Sequence, residues 1–296
     1  MNSIVSLQQA PDLASDNDAD DTPFSEKGVS DLPAENKTFL EVKNVNKFYP
    51  TRSGKNLHVL ENISFTANKN NICVLLGPSG CGKSTLLRLI AGLDQTSSGE
   101  IFIDDALIKG PARDRGMVFQ SYTCFPWLTV RQNVEYGLKI NSEHRTIAEG
   151  VVDHFLERVK LTDFANAFPN QLSGGMRQRV AIARAMSVYP SMLLMDEPFG
   201  ALDAVTRWQM QELLLEIAER ENITVMMVTH DIDEALFLGD EIVFLSIKPG
   251  RVKEVLTPAF KKDGRLATKE ALYDHPDYRA VEHHVMSLMR DEEKID

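Results

Sequence analysis

The densest chemistry in the chain lies in nine consecutive residues: Gly77, Pro78, Ser79, Gly80, Cys81, Gly82, Lys83, Ser84 and Thr85. They fit G-x-x-x-x-G-K-[ST], directly after the apolar run NICVLL and directly before LLRLIAGL, the strand–loop–helix setting that this pattern needs. A polyphosphate carries several negative charges. A glycine-rich turn aims consecutive backbone N–H groups at it, and a helix starting near Gly82 adds its positive dipole end. Lys83 supplies a full charge at the outer phosphates, and the Ser84 hydroxyl can ligate Mg²⁺. The expected ligands are therefore ATP and Mg²⁺. Cys81 sits at the helix start, where a thiol can be acidified. The alternative is a small residue that simply fits the loop.

A second group of reactive side chains stands where apolar runs end. SMLLMDEPFG places Asp196 and Glu197 at the exit of one such run, the edge at which open α/β sheets bind ligands. Asp196 would hold Mg²⁺, and the differently projecting Glu197 could orient and deprotonate an attacking water. His230 ends TVMMVTH and could bond the γ-phosphate; Gln120, after MVF, could reach Mg²⁺ or the lytic water. LSGGMRQRVAIARAM repeats the anion-binding idea without a lysine: Ser173, Gly174 and Gly175 precede a helix about 90 residues from Lys83. Two phosphate-ready helix ends for one nucleotide point to a second end that serves a neighbouring molecule.

Positioning these groups requires a parallel sheet covered on both faces. Short continuous apolar runs supply its strands at 71–76, 192–195, 224–228 and 241–245. From Phe39 the pattern instead alternates, and between about 121 and 189 it is mostly helical, which reads as an inserted helical layer. Strands are expected to stop at Gly250. After Pro276, residues Tyr278, Val281, Val285, Leu288 and Met289 share one helical stripe, so a terminal helix should dock on something, with the nearby Asp and Glu on a solvated face. The adjacent His283 and His284 cannot share a helix face and are not expected to hold metal. Residues 1–37, with six Asp, two Glu and two Lys, read as an acidic, disordered tail.

Composition narrows the function classes. A formal charge of −11 without a basic stripe argues against nucleic acid as a partner. No run approaches the ~20 apolar residues of a membrane-spanning helix. Three cysteines in 296 residues and a poor secretory start point to the cytosol.

Over 38–250 the sequence resembles the ATP-binding subunit of an ATP-binding-cassette (ABC) transporter. The family's motifs occur in the family's order: the P-loop at 77–85, the glutamine loop at Gln120, the signature at 172–176, and the Walker B strand with its glutamate at 192–197. The D-loop at Ala201, Leu202 and Asp203 and the switch histidine His230 complete the set. The resemblance implies an α/β P-loop ATPase core with an antiparallel β subdomain, an inserted α-helical subdomain and a C-terminal extension over 251–296. It implies ATP hydrolysis by a head-to-tail homodimer in which each ATP lies between one P-loop and the other copy's signature helix. It also implies that Asp203 lies near the nucleotide and that Tyr49 stacks on adenine, with the adjacent Phe48 as the alternative. The signature's fifth residue, Met176, departs from the usual glutamine, but backbone donors do not depend on it.

FQSYTCFPWLTVRQNVEYGL and THDIDEALFLGDEIVFLSIKPGRV are similar to the nitrate, sulfonate, taurine and bicarbonate import group. That implies transmembrane permease subunits and, indirectly, a solute-binding protein as partners, with the chain peripheral on the cytoplasmic face of the membrane. Phe125, Pro126, Trp127 and Leu128 after Gln120 would form a groove for a permease helix, unless they fill the helical layer's own core. The rival classes are a soluble non-transport cassette ATPase and a small-molecule kinase. The first usually carries a second cassette, a coiled-coil insertion or zinc-binding cysteines, and the second has no use for the LSGGM helix. The transported solute is not written in a chain that never touches it.

Overall fold

The computed structural model describes residues 37–294, apart from 53, 122, 142–144 and 262–263. Of the expected acidic tail, only Lys37 falls among them. In chain order the elements are β1 (Thr38–Pro50), β2 (Asn56–Asn68), β3 (Ile72–Leu76), α1 (Lys83–Ile90), β4 (Ser98–Ile103), β5 (Ala106–Leu107) and β6 (Arg115–Val118). The helical layer follows as α2 (Val130–Ile140), α3 (Arg145–Arg158) and α4 (Gly174–Met186). Then come β7 (Met192–Asp196), α5 (Ala204–Arg220), β8 (Thr224–Thr229), α6 (Ile232–Leu238), β9 (Glu241–Leu245), β10 (Val252–Leu256), α7 (Lys269–Tyr273) and α8 (Tyr278–Glu293).

The alternating N-terminal segment forms an antiparallel sheet of order β2-β1-β4-β5, and the apolar runs form a six-stranded sheet of order β10-β9-β3-β8-β7-β6. Within the second sheet β6, β7, β8, β3 and β9 run parallel. The apolar runs have no polar face because both faces are covered. Ile72, Val74 and Leu76 of β3 enter the core made with α2–α6, while Cys73 and Leu75 enter the core shared with α1 and the antiparallel sheet. β7, β8 and β9 divide their side chains in the same period-2 way. Each buried leucine or valine contributes on the order of 1.5–3 kcal/mol, so a one-residue slip that moved every side chain to the wrong core is strongly disfavoured.

The expectation that strands stop at Gly250 is corrected. β10 pairs antiparallel with β9 and extends the main sheet, so the chain beyond 250 joins the main body. Phe260, Leu272, Tyr278 and Val285 lie in the same core as the α6 side chains. The terminal stripe behaves as its period predicts, with Tyr278 and Val285 buried and Val281, Leu288 and Met289 packed against that core. The solvated acidic face also needs correction. Glu292 is only 2% exposed; it accepts from Lys253 Nζ at 2.6 Å and from the Ile247 N–H at 2.9 Å. His284 pairs with Glu254 at 3.0 Å, and among the described residues no group of three or more potential ligands gathers for a metal.

Two cations beyond β10, Lys261 and Arg265, are tied to the main body. Arg265 forks onto Asp240 and donates to the Asn70 carbonyl, and the buried Lys261 donates to the Phe237 carbonyl in the last turn of α6. Burial pulls the Lys261 ammonium down to about 8 from 10.5, against the opposing pull of Asp240. The folded chain therefore binds fewer protons than the unfolded chain between those two values. This group destabilises the fold below the window by up to about 3 kcal/mol, and the cost fades as pH rises through it. Relative to wild type, the urea-unfolding free energy of Lys261→Met should fall as pH is raised from about 7.5 to about 10. A pH-independent difference would contradict a buried, charged Lys261.

Candidate active site

The parallel register decides what can meet. Leu76 pairs with Thr229, Asp196 with Val228, and Val118 with Met195. The residues that follow β3, β7, β8 and β6 therefore emerge together at the carboxyl edge of the sheet. The loop 77–85 leaves β3 there and enters α1, whose N-cap Gly82 has φ +97°; a side chain is disfavoured in that left-handed region. Lys83 is buried within the loop and donates to the Gly77 and Pro78 carbonyls at 2.7 and 2.8 Å. Ser84 Oγ donates to Asp196 Oδ1 at 2.7 Å. A hydroxyl and a carboxylate side by side are the hard oxygen donors that suit Mg²⁺, so Ser84 and Asp196 fit the expected metal. Cys81 is buried, and burial pushes its thiol up despite the nearby Lys83. Of its two readings, the small loop-filling residue fits.

Glu197 directly follows Asp196 yet serves a different group of neighbours. Its backbone is left-handed, with φ +43°, a conformation that costs a non-glycine residue about 1–2 kcal/mol. Its N–H donates to the Val228 carbonyl at 3.0 Å and holds the turn. Asp196 consequently faces Ser84, while Glu197 Oε2 accepts from Gln120 Nε2 at 3.1 Å and its Oε1 lies 3.5 Å from His230 Nδ1. One carboxylate thus lies beside a hydroxyl, a pair able to hold a cation, and the next lies between an amide and an imidazole, where a carboxylate could accept a proton from water.

The structure distinguishes the two aromatic candidates. Phe48 stacks on His58 with ring centroids 4.1 Å apart. Tyr49 bonds Asp94, just past α1, and its hydroxyl also interacts with Thr85 of the loop. Burial and the Asp94 bond push its phenol up, and Lys47 Nζ lies 4.6 Å from its ring centroid. Tyr49 is thus the aromatic on the loop's side.

Ser173 and Asp203 are helix N-caps. Ser173 accepts from Met176 N–H at 3.3 Å and starts α4. Asp203 accepts from Thr206 N–H at 3.0 Å and starts α5, and this backbone donor pulls its carboxyl down. Gly175 lets α4 sit directly on Thr206, which a Cβ would meet at 2.4 Å. Among the described residues no hydrogen bond or ion pair joins Ser173, Gly174, Gly175 or Asp203 to 77–85. The two anion-ready helix ends stay separate within one chain.

Sequence reading missed the supports. A Cβ on Gly250 would lie 2.1 Å from the Cys81 carbonyl oxygen, and one on Gly77 would lie 2.5 Å from that of Leu245. The phosphate loop therefore rests on the end of β9 and the turn into β10. Gly250 also exchanges backbone bonds with β2, donating to Val59 and accepting from Glu61. The buried Asn133 accepts from Phe125 N–H and donates to the carbonyls of Phe125, Leu128 and Thr129, which fixes the segment after Gln120. A glycine near a strand end was the sole sequence cue for Gly250; Asn133 had none.

The sequence profile described as ABC transporter matches residues 60–200. A nitrate import ATP-binding protein of Synechocystis is 46% identical over 218 residues, covering 74% of this chain and 82% of that protein. An aliphatic sulfonates import ATP-binding protein of Bacillus cereus is 46% identical over 217 residues, covering 73% and 85%. Among solved structures, a dimeric ATP-binding cassette in a post-hydrolysis state with ADP and phosphate superimposes with a TM-score of 0.64. It is 35% identical, with 74% of this chain and 98% of that chain covered.

Gly250→Ala would drive a methyl group into loop backbone that has no side-chain freedom to yield. ATP affinity measured by calorimetry should drop at least about tenfold, or about 1.4 kcal/mol, with circular dichroism unchanged. Unaltered affinity would show that the turn does not buttress the loop.

Proposed function

The chain belongs to the ABC transporter family and is one of its ATPases, and from that premise we propose that two copies clasp two MgATP head to tail to power import of a small anion through a separate permease. The observation that carries this reading is the split between the two anion-ready ends. Lys83, Ser84, Asp196, Glu197, Gln120 and His230 meet at one edge, whereas Ser173 and Gly174 start another helix with no bond to them. A second copy facing the first would complete both sites. The similarity to a cassette solved as a dimer supports this arrangement.

Each residue then has a task. The N–H groups of 79–85 and Lys83 bind the β- and γ-phosphates, and Tyr49 packs on adenine. Ser84 and Asp196 hold Mg²⁺, which when bound neutralises charge on the phosphoryl oxygens. Gln120 and His230 orient the attacking water and γ-phosphate, and Glu197 accepts the water's proton. The partner's equivalents of Ser173 and Asp203 close over the γ-phosphate. ATP favours the closed pair because only there do both halves touch it, so differential affinity drives the motion.

Transmission to a permease has a physical route. Trp127 is 69% exposed, so it does not fill the helical layer's core. It packs at a tilt against Phe125 with ring centroids 5.6 Å apart, the Phe125 ring meets Tyr136 at 4.5 Å, and Ile140, one turn beyond Tyr136 on α2, is exposed as well. A cleft of about 760 Å³ lined by Arg131, Glu135, Lys139 and Asp153 adjoins α2. Such a surface suits a short amphipathic helix. Arg184 of α4 donates to the Thr123 carbonyl and hydroxyl and lies over Phe125, so the signature helix and the Gln120 segment would move together. No described helix is long and apolar enough to cross a membrane, and we place the chain peripherally on the cytoplasmic face. Nitrate or an organosulfonate is the best-supported cargo class, because relatives named for both are equally similar to this chain. A binding protein would deliver that cargo.

Glu197→Gln removes the proton acceptor and keeps the shape. It should retain ATP affinity, lower kcat by about 10²–10⁴, and convert the chain to a dimer by light scattering with saturating MgATP. Wild-type turnover would assign the base elsewhere.

A further inference from the structure

The segment beyond β10 lies outside every nucleotide motif, yet it grips α6 at both ends, and α6 begins two residues after His230. At the N-terminal end, the Tyr278 hydroxyl donates to Asp233 Oδ1 at 2.7 Å, and the Tyr273 hydroxyl approaches Oδ2 at 3.4 Å. At the C-terminal end, Lys261 bonds the Phe237 carbonyl. Tyr278 is 1% exposed, and its ring packs in one core with Ala235, Leu236 and Phe237. Burial and the Asp233 bond push its phenol up, so it remains a donor. Glu282 also lies 3.2 Å from the hydroxyl, but it has Arg279 as its own partner at 3.1 Å. The same first turn is tied back to the strand, because Asp231 caps Glu234 N–H while its own N–H donates to Thr229 Oγ1.

A core that needed only bulk would be served by phenylalanine at 278. A buried hydroxyl aimed at a carboxylate three residues beyond the switch histidine instead fixes direction, since a hydrogen bond to an ionised group is short and strong. We propose that Tyr278 is a positioning residue for hydrolysis: by holding Asp233 it fixes the first turn of α6 and thereby the place of His230 beside Glu197. The extension is then a clamp on the catalytic edge, and any partner that displaced α8 would slow turnover without entering the nucleotide site. This rests on the assignment of His230 made above.

The test uses the full chain and measures MgATP turnover, with radiolabelled ATP for slow variants. Tyr278→Phe keeps the ring and should lower kcat about fivefold, the rate equivalent of about 1 kcal/mol, with KM within about twofold. In a His230→Ala background the same change should produce no further fall, because its effect passes through His230. Should Tyr278→Phe not fold, Asp233→Ala carries the same comparison. An unchanged kcat in Tyr278→Phe, or an equal proportional loss in both backgrounds, overturns the proposal and leaves the extension a packing element. Wild-type turnover in His230→Ala alone overturns the site assignment, and this inference with it.

Discussion

The constraint on which the rest depends is the in-step parallel pairing of β3 with β8 and β8 with β7. Three strands that run the same way and end level must release their next residues at one edge. That edge therefore holds a phosphate loop, two consecutive carboxylates and a histidine drawn from positions up to 153 apart in sequence, from Gly77 to His230. Nothing local fixes this register. It is fixed by the sorting of alternate side chains into two separate cores, one helical and one shared with the antiparallel sheet. The site inherits its geometry from packing several residues away from any reacting group.

Within that frame the chain uses short backbone devices to separate roles that the sequence places side by side. Left-handed Glu197 aims one carboxylate at Gln120 and His230 while its neighbour Asp196 turns to Ser84. The N-caps Ser173, Asp203 and Asp231 each start a helix next to a functional motif, a local contribution of about 1 kcal/mol apiece. The proposed contacts across a dimer thus use residues already held in place for folding. The strain at Glu197 is tolerated because the Val228 carbonyl holds its N–H.

The parts legible in the sequence are those whose cause is local. Glycines with a lysine and serine at fixed spacing, five-residue apolar runs ending in acids or histidine, and a stripe at helical period after Pro276 each carry their own explanation, and each stands where its pattern puts it. What was not legible is set by distant partners. Nothing near Gly250 says that it lies against Cys81, and the consecutive charges Lys253 and Glu254 hide the edge strand β10. Glu292 reads as a solvated acid until Lys253 and the Ile247 N–H meet it. Trp127 and Phe125 have the composition of a core and are withheld from it by Asn133, which pins the loop that displays them. Tyr49 is preferred to Phe48 only through the family resemblance, because β1 changes register between Lys47 and Phe48 and alternation alone does not assign their faces.

The account stands on the nucleotide being shared between two copies, and disulfide capture tests that most directly. One copy would carry Ser79→Cys and the other Ser173→Cys, both in a Cys124→Ser background that removes the half-buried native thiol; Cys73 and Cys81 are buried. With MgATP and a mild oxidant, the mixture should yield a covalent pair joining the two different copies, and that product should vanish without nucleotide. A cross-link that forms equally without ATP, or none at all under saturating nucleotide, would contradict a site completed by a second chain.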